Sequence, residues 1–463
     1  MRRALPALTV ALLLVLAGCG APLDSGGTAG NGASGETTTG SAPATATPTT
    51  DTAATPGTGT PPAPETTTRP TPETTAGPPT ETTTAGDPTE ERVTVSGGSL
   101  PVDAAAVYAR VQALTDLEGG DVEVVVEDPS DREPGSYAPD AFEPLGLTGG
   151  DIDDIDCGSI ASASAGGDRV NIVTEGLSDA EVELVLAHEF VHTLQDDNDL
   201  RAPQALEGRE SRYLRTALIE GGAVYVADRY AQRHDLAWSG DRRPLELREC
   251  FYDDSPGGLL SLTAVYHFGG QYFAGTVDDP TAIGDAYDDL PTTTEGLLHG
   301  ATTAEDSPRP LSVTVDAPDW TDQNLGRHGE LVTRIALRTE LAESRAASAA
   351  EGWGNDDLVA LERDGGEGYV WVHRWDDSAA AEEFLDAAAA YADARRDAGV
   401  AMRVVRVGPE TTALVFGDEA LVDAASVETS GDGAVTVTVS DAGSARVTVS
   451  AARDRPPALS VRG

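Results

Sequence analysis

His188, Glu189 and His192 are the residues whose types and spacing most directly do chemistry in this chain. They lie in the run Leu184-Val185-Leu186-Ala187-His188-Glu189-Phe190-Val191-His192-Thr193-Leu194-Gln195. On a helix, imidazoles four positions apart stand one turn above each other and present ring nitrogens to a single metal ion. Glu189 projects from the same side, where a carboxylate can take a proton from water activated by that ion. The helix itself is signalled by Ser178 at the N-cap, with Glu181 three residues on completing a capping box. Val185, His188, Glu189 and His192 then keep to one face.

Two imidazoles need a third protein ligand, with the fourth position left open. No third histidine follows closely, because Gln195 and Asn198 stand in the places where one would be expected. Residues 213–228 read as a second helix whose stripe is Tyr213, Ala217, Glu220, Val224 and Ala227. Glu220 is therefore a carboxylate in an otherwise apolar line, a costly placement unless it is paired or metal-bound. It is the expected third ligand. An ion pair with Arg215 is the other way to satisfy it, and Glu207 and Glu210 are the competing ligands. Gly221 and Gly222 weaken a helix but permit a neighbour to approach closely.

This combination resembles the gluzincins, zinc metallopeptidases that carry HExxH on one helix and a glutamate on the next. The likeness is strongest over residues 169–230. It implies a zinc cofactor held by His188, His192 and Glu220, a general base at Glu189, and a peptide or protein substrate. It also implies that a strand before the first helix offers its edge to the peptide, here residues 167–174. Gluzincins often place an acid four residues after the glutamate to orient a ligating histidine; that position is Val224, so Asp228 is the expected substitute. A donor near the metal usually stabilises the oxyanion. His299, His267, Tyr266 and Tyr225 are the candidates, with His299 the choice, while His234, His328 and His373 read as ordinary histidines. Later segments, around Tyr266-His267, residues 291–299 and residues 351–357, resemble a family of uncharacterised surface lipoproteins from haloarchaea and related bacteria. Two readings stand beside peptide hydrolysis: a non-catalytic cell-surface protein that keeps the scaffold for binding or envelope structure, and a zinc hydrolase of another bond.

The N-terminus reads as an address. Met1-Arg2-Arg3 precedes an apolar run over residues 4–17, too short to span a bilayer but suited to a signal peptide. The run ends in Leu16-Ala17-Gly18-Cys19, which resembles a lipobox, so residues 1–19 are expected to be a lipoprotein signal ending at a lipidated Cys19; the paired arginines leave the choice of Sec or Tat export open. Residues 20–93 are rich in Thr, Pro, Gly and Ser and read as a disordered stalk. The remainder is then expected at the extracellular face of the cell membrane, held by its lipid anchor. Two further cysteines, Cys157 and Cys250, are expected to form a disulfide in that compartment, free thiols being the other possibility.

The 78 acidic and 31 basic side chains give a formal charge of −47, and every basic residue is arginine. Such a surface repels nucleic acid, which excludes nucleic-acid recognition. It also suits molar salt, where a Debye length of about 3 Å screens self-repulsion. The elements that must position the site read as an α+β fold: a zincin-like metallopeptidase core with a small mixed sheet over residues 94–325, an α+β layer over 326–420, and a hairpin-like tail over 421–463. Residues 103–117, 259–276, 330–350 and 378–397 have helical patterns. Residues 122–127, 358–362, 369–375, 402–407 and 413–416 read as strands, and 434–439 with 445–449 as a polar hairpin.

Overall fold

The computed structural model describes residues 92–129, 142–150, 155–158, 161–202, 209–301 and 307–440. Cys19, residues 20–91 of the expected stalk, Glu207 and residues 445–449 lie outside the described residues; Val93, expected to end the stalk, instead begins the first strand. Among the described residues no helix is long and apolar enough to cross a membrane.

The elements run β1 (Val93–Ser96), α1 (Ala104–Thr115), β2 (Val122–Val126), β3 (Ser162–Gly166), β4 (Arg169–Val173), α2 (Asp179–Asp197), α3 (Glu210–His234), α4 (Pro244–Asp254) and α5 (Gly257–Thr276). They continue with α6 (Ile283–Ala286), α7 (Thr294–His299), β5 (Ser312–Asp316), β6 (Thr321–Gly326), α8 (Gly329–Arg338) and α9 (Glu343–Ala350). The last are β7 (Trp353–Arg363), β8 (Gly366–Trp375), α10 (Ser378–Asp397), β9 (Ala401–Gly408), β10 (Thr411–Gly417), α11 (Glu419–Ala424), β11 (Ala425–Gly431) and β12 (Ala434–Val439). The fold is mixed α+β, with three small sheets.

The first sheet has the order β1-β2-β4-β3, with β3 antiparallel to β4 and the other pairs parallel. Residues 167–174, expected to offer an edge, form β4, which is paired on both sides. The edge belongs to β3, and β3 also packs on α2. The second sheet, β6-β7-β8-β10-β9, is antiparallel throughout, and its central strands β7, β8 and β10 are buried on both faces. Leu358, Ala360, Tyr369, Trp371, Leu414 and Phe416 face the main helical core, while Val359, Leu361, Val370, Val372, Ala413 and Val415 face a second core. That second core is closed by β11 and β12 of the third sheet and by α11.

The expected boundary at residue 325 falls inside β6, which pairs with β7, while β5 joins the third sheet by lying parallel to β12. The expected tail is likewise part of this layer, since β12 takes β11 as its antiparallel partner. Residues 330–350 form two helices, broken where Thr339 turns its hydroxyl back to the Ala336 carbonyl and on to the Leu145 carbonyl. The disulfide Cys157–Cys250 is formed, with Cα atoms 5.9 Å apart, and ties α4 to the segment before β3.

Candidate metal centre

Helix α2 starts where its capping box requires: the Ser178 amide donates to the Glu181 carboxylate at 2.8 Å, and the Glu181 amide donates back to the Ser178 hydroxyl. That start sets the helical phase, which turns His188 and His192 inward, where they are 5% and 1% exposed. Glu220 arrives from α3 and is 2% exposed. The three ligand atoms make a triangle. His188 Nε2 and His192 Nε2 are 3.2 Å apart, and each lies 3.3 Å from Glu220 Oε2. Ligands about 2.1 Å from a tetrahedral ion stand about 3.4 Å from one another, so the set fits a divalent cation with its fourth position open. His188, His192 and Glu220 are thus brought together as a group able to hold a metal ion.

Burial disfavours charge at every corner of this triangle, and the corners answer differently. Burial holds His188 down to about 4, with Glu220 only partly offsetting it. On His192 the same burial is outweighed by Glu220, and its pKa rises to about 9. Glu220 is held at about 2, since the imidazoles overcome the cost of burying its charge. The centre holds a carboxylate against an imidazolium, and a metal ion bound there would take the place of that proton.

Gln195 decides which nitrogen of His192 is available to a metal ion. Its Nε2 donates to the Ile219 carbonyl at 2.9 Å, and a carbonyl can only accept. Its Oε1 is therefore the atom 2.7 Å from His192 Nδ1, so Nδ1 keeps its proton, and it is Nε2 that gives up the second one to offer a lone pair to an ion. Tyr287 accepts a further bond from Gln195 at 2.7 Å and donates to the Leu218 carbonyl. Gly222 leaves the room for this arrangement, because a Cβ there would stand 2.3 Å from the Tyr287 oxygen. Gly221 serves another contact: a Cβ would meet the Gly269 backbone at 2.2 Å, so the close approach it permits is to α5 rather than to α2.

Glu189 is fully buried beside the triangle, and its charge is felt by His192, Arg248 and Tyr266. The Tyr266 ring, from α5, stacks 6.4 Å from that of His188, and its hydroxyl bonds Glu220. Burial and the two carboxylates hold that phenol well above its ordinary pKa, as a proton donor. Over its other surroundings lies Arg248 of α4, its guanidinium carbon 4.8 Å from the Tyr266 ring centre. Arg248 went unnoticed in the sequence although its signal resembles that of Glu220. It sits among Pro244, Leu247 and Phe251, the buried stripe of α4.

Residues 319–450 match a family described as a domain of unknown function (DUF8575). The matched stretch begins just before β6 and contains none of the helices that carry the triangle. No curated protein and no solved structure matches the chain.

The remaining candidates have other work. His299 lies at the end of α7, where its Nε2 is 3.0 Å from a Glu330 oxygen of α8; that bond raises its pKa, and the ring is not part of the ligand group. His267 stacks on Tyr252 at 5.0 Å, and Tyr225 donates to the Val277 carbonyl. Asp228, expected behind a ligating histidine, binds Arg243 at 3.1 Å and the Leu245 amide instead. Glu210 is no ligand either: it receives Arg327 and the Thr294 amide.

Proposed function

We propose that this chain is a zinc metallopeptidase of the gluzincin type, anchored by lipid on Cys19 at the outer face of the cell membrane. The observation that carries the reading is the buried triangle of His188, His192 and Glu220 with Glu189 beside it. Two imidazoles and one carboxylate, with one position open, are the donor set of hydrolytic zinc. Zinc bound there supplies Lewis acidity, polarising a carbonyl and lowering the pKa of water. Glu189, on the same helical face, removes the proton of the attacking water and returns it to the leaving amine. Gln195 orients His192, and the Tyr266 hydroxyl bonds Glu220. The edge strand β3 packs on α2 and offers an extended peptide a place to add alongside it.

The test is metal analysis of the purified chain beside His192→Ala and Glu189→Gln, with peptide hydrolysis measured at high salt. The wild type should hold one zinc and cleave peptides. His192→Ala should lose the metal, and Glu189→Gln should keep it while losing at least about 10²-fold in turnover. Full turnover in Glu189→Gln would remove the mechanism. Zinc uptake without hydrolysis of any peptide would favour a non-catalytic scaffold.

A further inference from the structure

Arg248 is the one group in this centre for which the hydrolytic chemistry above has no task. It is half-buried; its Nε is enclosed and has no hydrogen-bond partner, and among the described residues it makes no ion pair. That is odd in a chain with 78 acidic side chains. Arginines in comparable settings take carboxylates: Arg327 with Glu210, Arg334 with Glu343, Arg395 with Glu340. The two carboxylates whose charge reaches Arg248 have other tasks in the peptidase reading, Glu220 at the metal and Glu189 in proton transfer. The Tyr266 face holds the guanidinium in place, which leaves its N–H donors for a partner that the chain does not provide.

Charge points the same way. With a divalent ion in place and both imidazoles neutral, two carboxylates and one guanidinium leave the centre with one net positive charge. A desolvated cation is costly unless an anion arrives with it. A planar fork of donors is matched by a carboxylate, taken in two parallel bonds.

We propose that Arg248 receives a carboxylate of the substrate, so that the centre selects peptides with a negative charge next to the bond to be cleaved. This deepens the peptidase reading and rests on it. The carboxylate has two sources, a free C-terminus or an Asp or Glu side chain, and the recognition chemistry is the same for both. Because the pair forms at contact distance in a half-buried setting, the selection persists in molar salt, where surface charges are screened.

The experiment uses the zinc-loaded protein and two pairs of N-acetylated peptides. One pair differs only in a free or amidated C-terminus; the other, amidated throughout, has Glu or Gln beside the scissile bond. In one pair the wild type should prefer the acid by at least about 30-fold in kcat/KM, mainly through KM. The pair that shows it identifies the source. In Arg248→Met the ratio should collapse towards unity with zinc still bound, and Arg248→Lys should restore only part of it. Calorimetric binding of the same peptides to zinc-loaded Glu189→Gln gives a readout without turnover, and should show the same preference. Equal handling of acid and neutral peptides by the wild type overturns the proposal. So does an Arg248→Met defect confined to kcat and equal for all four peptides, which would assign the guanidinium to the oxyanion. Zinc uptake with no cleavage of any peptide would sink the peptidase reading, while the calorimetric preference would still report on Arg248; failure to bind zinc would sink both.

Discussion

Replacing Gln195 with Leu tests whether the orientation of His192, and not merely its presence, makes the metal site. The side chain makes three bonds: it accepts from His192 Nδ1 at 2.7 Å and donates to the Ile219 carbonyl at 2.9 Å and the Tyr287 oxygen at 2.7 Å. Leucine keeps most of the volume and removes all three. The buried Nδ1–H is then left without a partner, at a cost of about 1–3 kcal/mol. The ring escapes that cost by rotating or changing tautomer, and either change takes the Nε2 lone pair from the ion. Loss of such orienting partners typically lowers metal affinity 10–100-fold, which corresponds to about 1.4–2.7 kcal/mol, in line with the cost of the orphaned donor. Tyr287→Phe removes two outer bonds, the one it accepts from Gln195 and the one it donates to the Leu218 carbonyl, but leaves the bond between Gln195 and His192, and should cost less than about threefold. Zinc affinity is read by competition with a chromophoric chelator, and the geometry by the absorption of the cobalt(II) form. Wild-type affinity in Gln195→Leu, with unchanged thermal stability of the metal-free protein, would refute the tautomer argument. Equal losses in both variants would show that the network acts through folding instead.

Three further outcomes follow from the packing. Gly269→Ala puts a Cβ 1.9 Å from the Ala217 carbonyl oxygen, a backbone atom that cannot turn away, so α5 must separate from α3; about 1–3 kcal/mol of stability should be lost in chemical unfolding, whereas Gly275→Ala on the same helix, with nothing within 4 Å, should be neutral or slightly stabilising. Replacing Cys157 and Cys250 by Ala opens a link between residues 93 apart, and unfolding at high salt should show a loss of about 4–5 kcal/mol in the chain-entropy account. His373 is fully buried, and burial holds its pKa down to about 3. Between its ordinary value near 6.5 and that figure, the unfolded chain binds a proton that the folded chain refuses, so stability falls as pH drops through the window. At pH 4.5 the penalty is on the order of 2–3 kcal/mol, and the loss between pH 7 and 4.5 should be smaller by about that amount in His373→Leu.

The parts of the site legible in the sequence are those whose information is local. The capping box at Ser178 sets the phase of α2, and the phase alone aims His188, Glu189 and His192. Glu220 was legible because a carboxylate in an apolar stripe has to be satisfied by something. By that logic Arg248 was equally legible, since Pro244 and Glu246, whose carboxylate accepts the Arg243 amide at 2.9 Å, mark the start of α4, but the apolar stripe of that helix is short. Gln195 marked the absence of a third histidine, whereas in three dimensions it is the partner of the second. What stayed hidden is nonlocal. The Ser-Ala-Ser-Ala-Gly of β3 has none of the β-branched residues that signal a strand, and it becomes one by pairing with β4. The same holds for β12, whose alternation is plain but whose partners, β11 and β5, are matters of topology. No Gly or Pro marks the break between α8 and α9.

The C-terminal layer reaches the metal helices through two buried carboxylates. Asp356 of β7 accepts from the His328 and Gly329 amides, at 2.9 and 2.8 Å, and from the indoles of Trp353 and Trp371. It thereby caps α8 from within the second sheet, satisfying amides that α8 itself cannot. The residue just before that cap, Arg327, bonds Glu210 in the first turn of α3, and its carbonyl accepts the Glu210 amide at 2.8 Å. Glu210 also takes the Thr294 amide at 2.6 Å and hydroxyl at 2.8 Å, which draws in α7. Gly329 has φ 88°, and a Cβ there would stand 2.2 Å from the Thr294 hydroxyl, so the junction accepts no side chain. Glu220 lies ten residues further along the same helix. The position of Glu220 is therefore set at two points of α3: by the glycine crossing with α5 beside it, and by a chain of hydrogen bonds that begins inside the second sheet and reaches the first turn of α3. A β7 strand without Asp356 leaves two amides and two indoles unsatisfied in the core, loosens the start of α8, and with it the grip on Glu210. That is a physical reason for the sheet layer and the metal helices to form one folding unit rather than two separate modules.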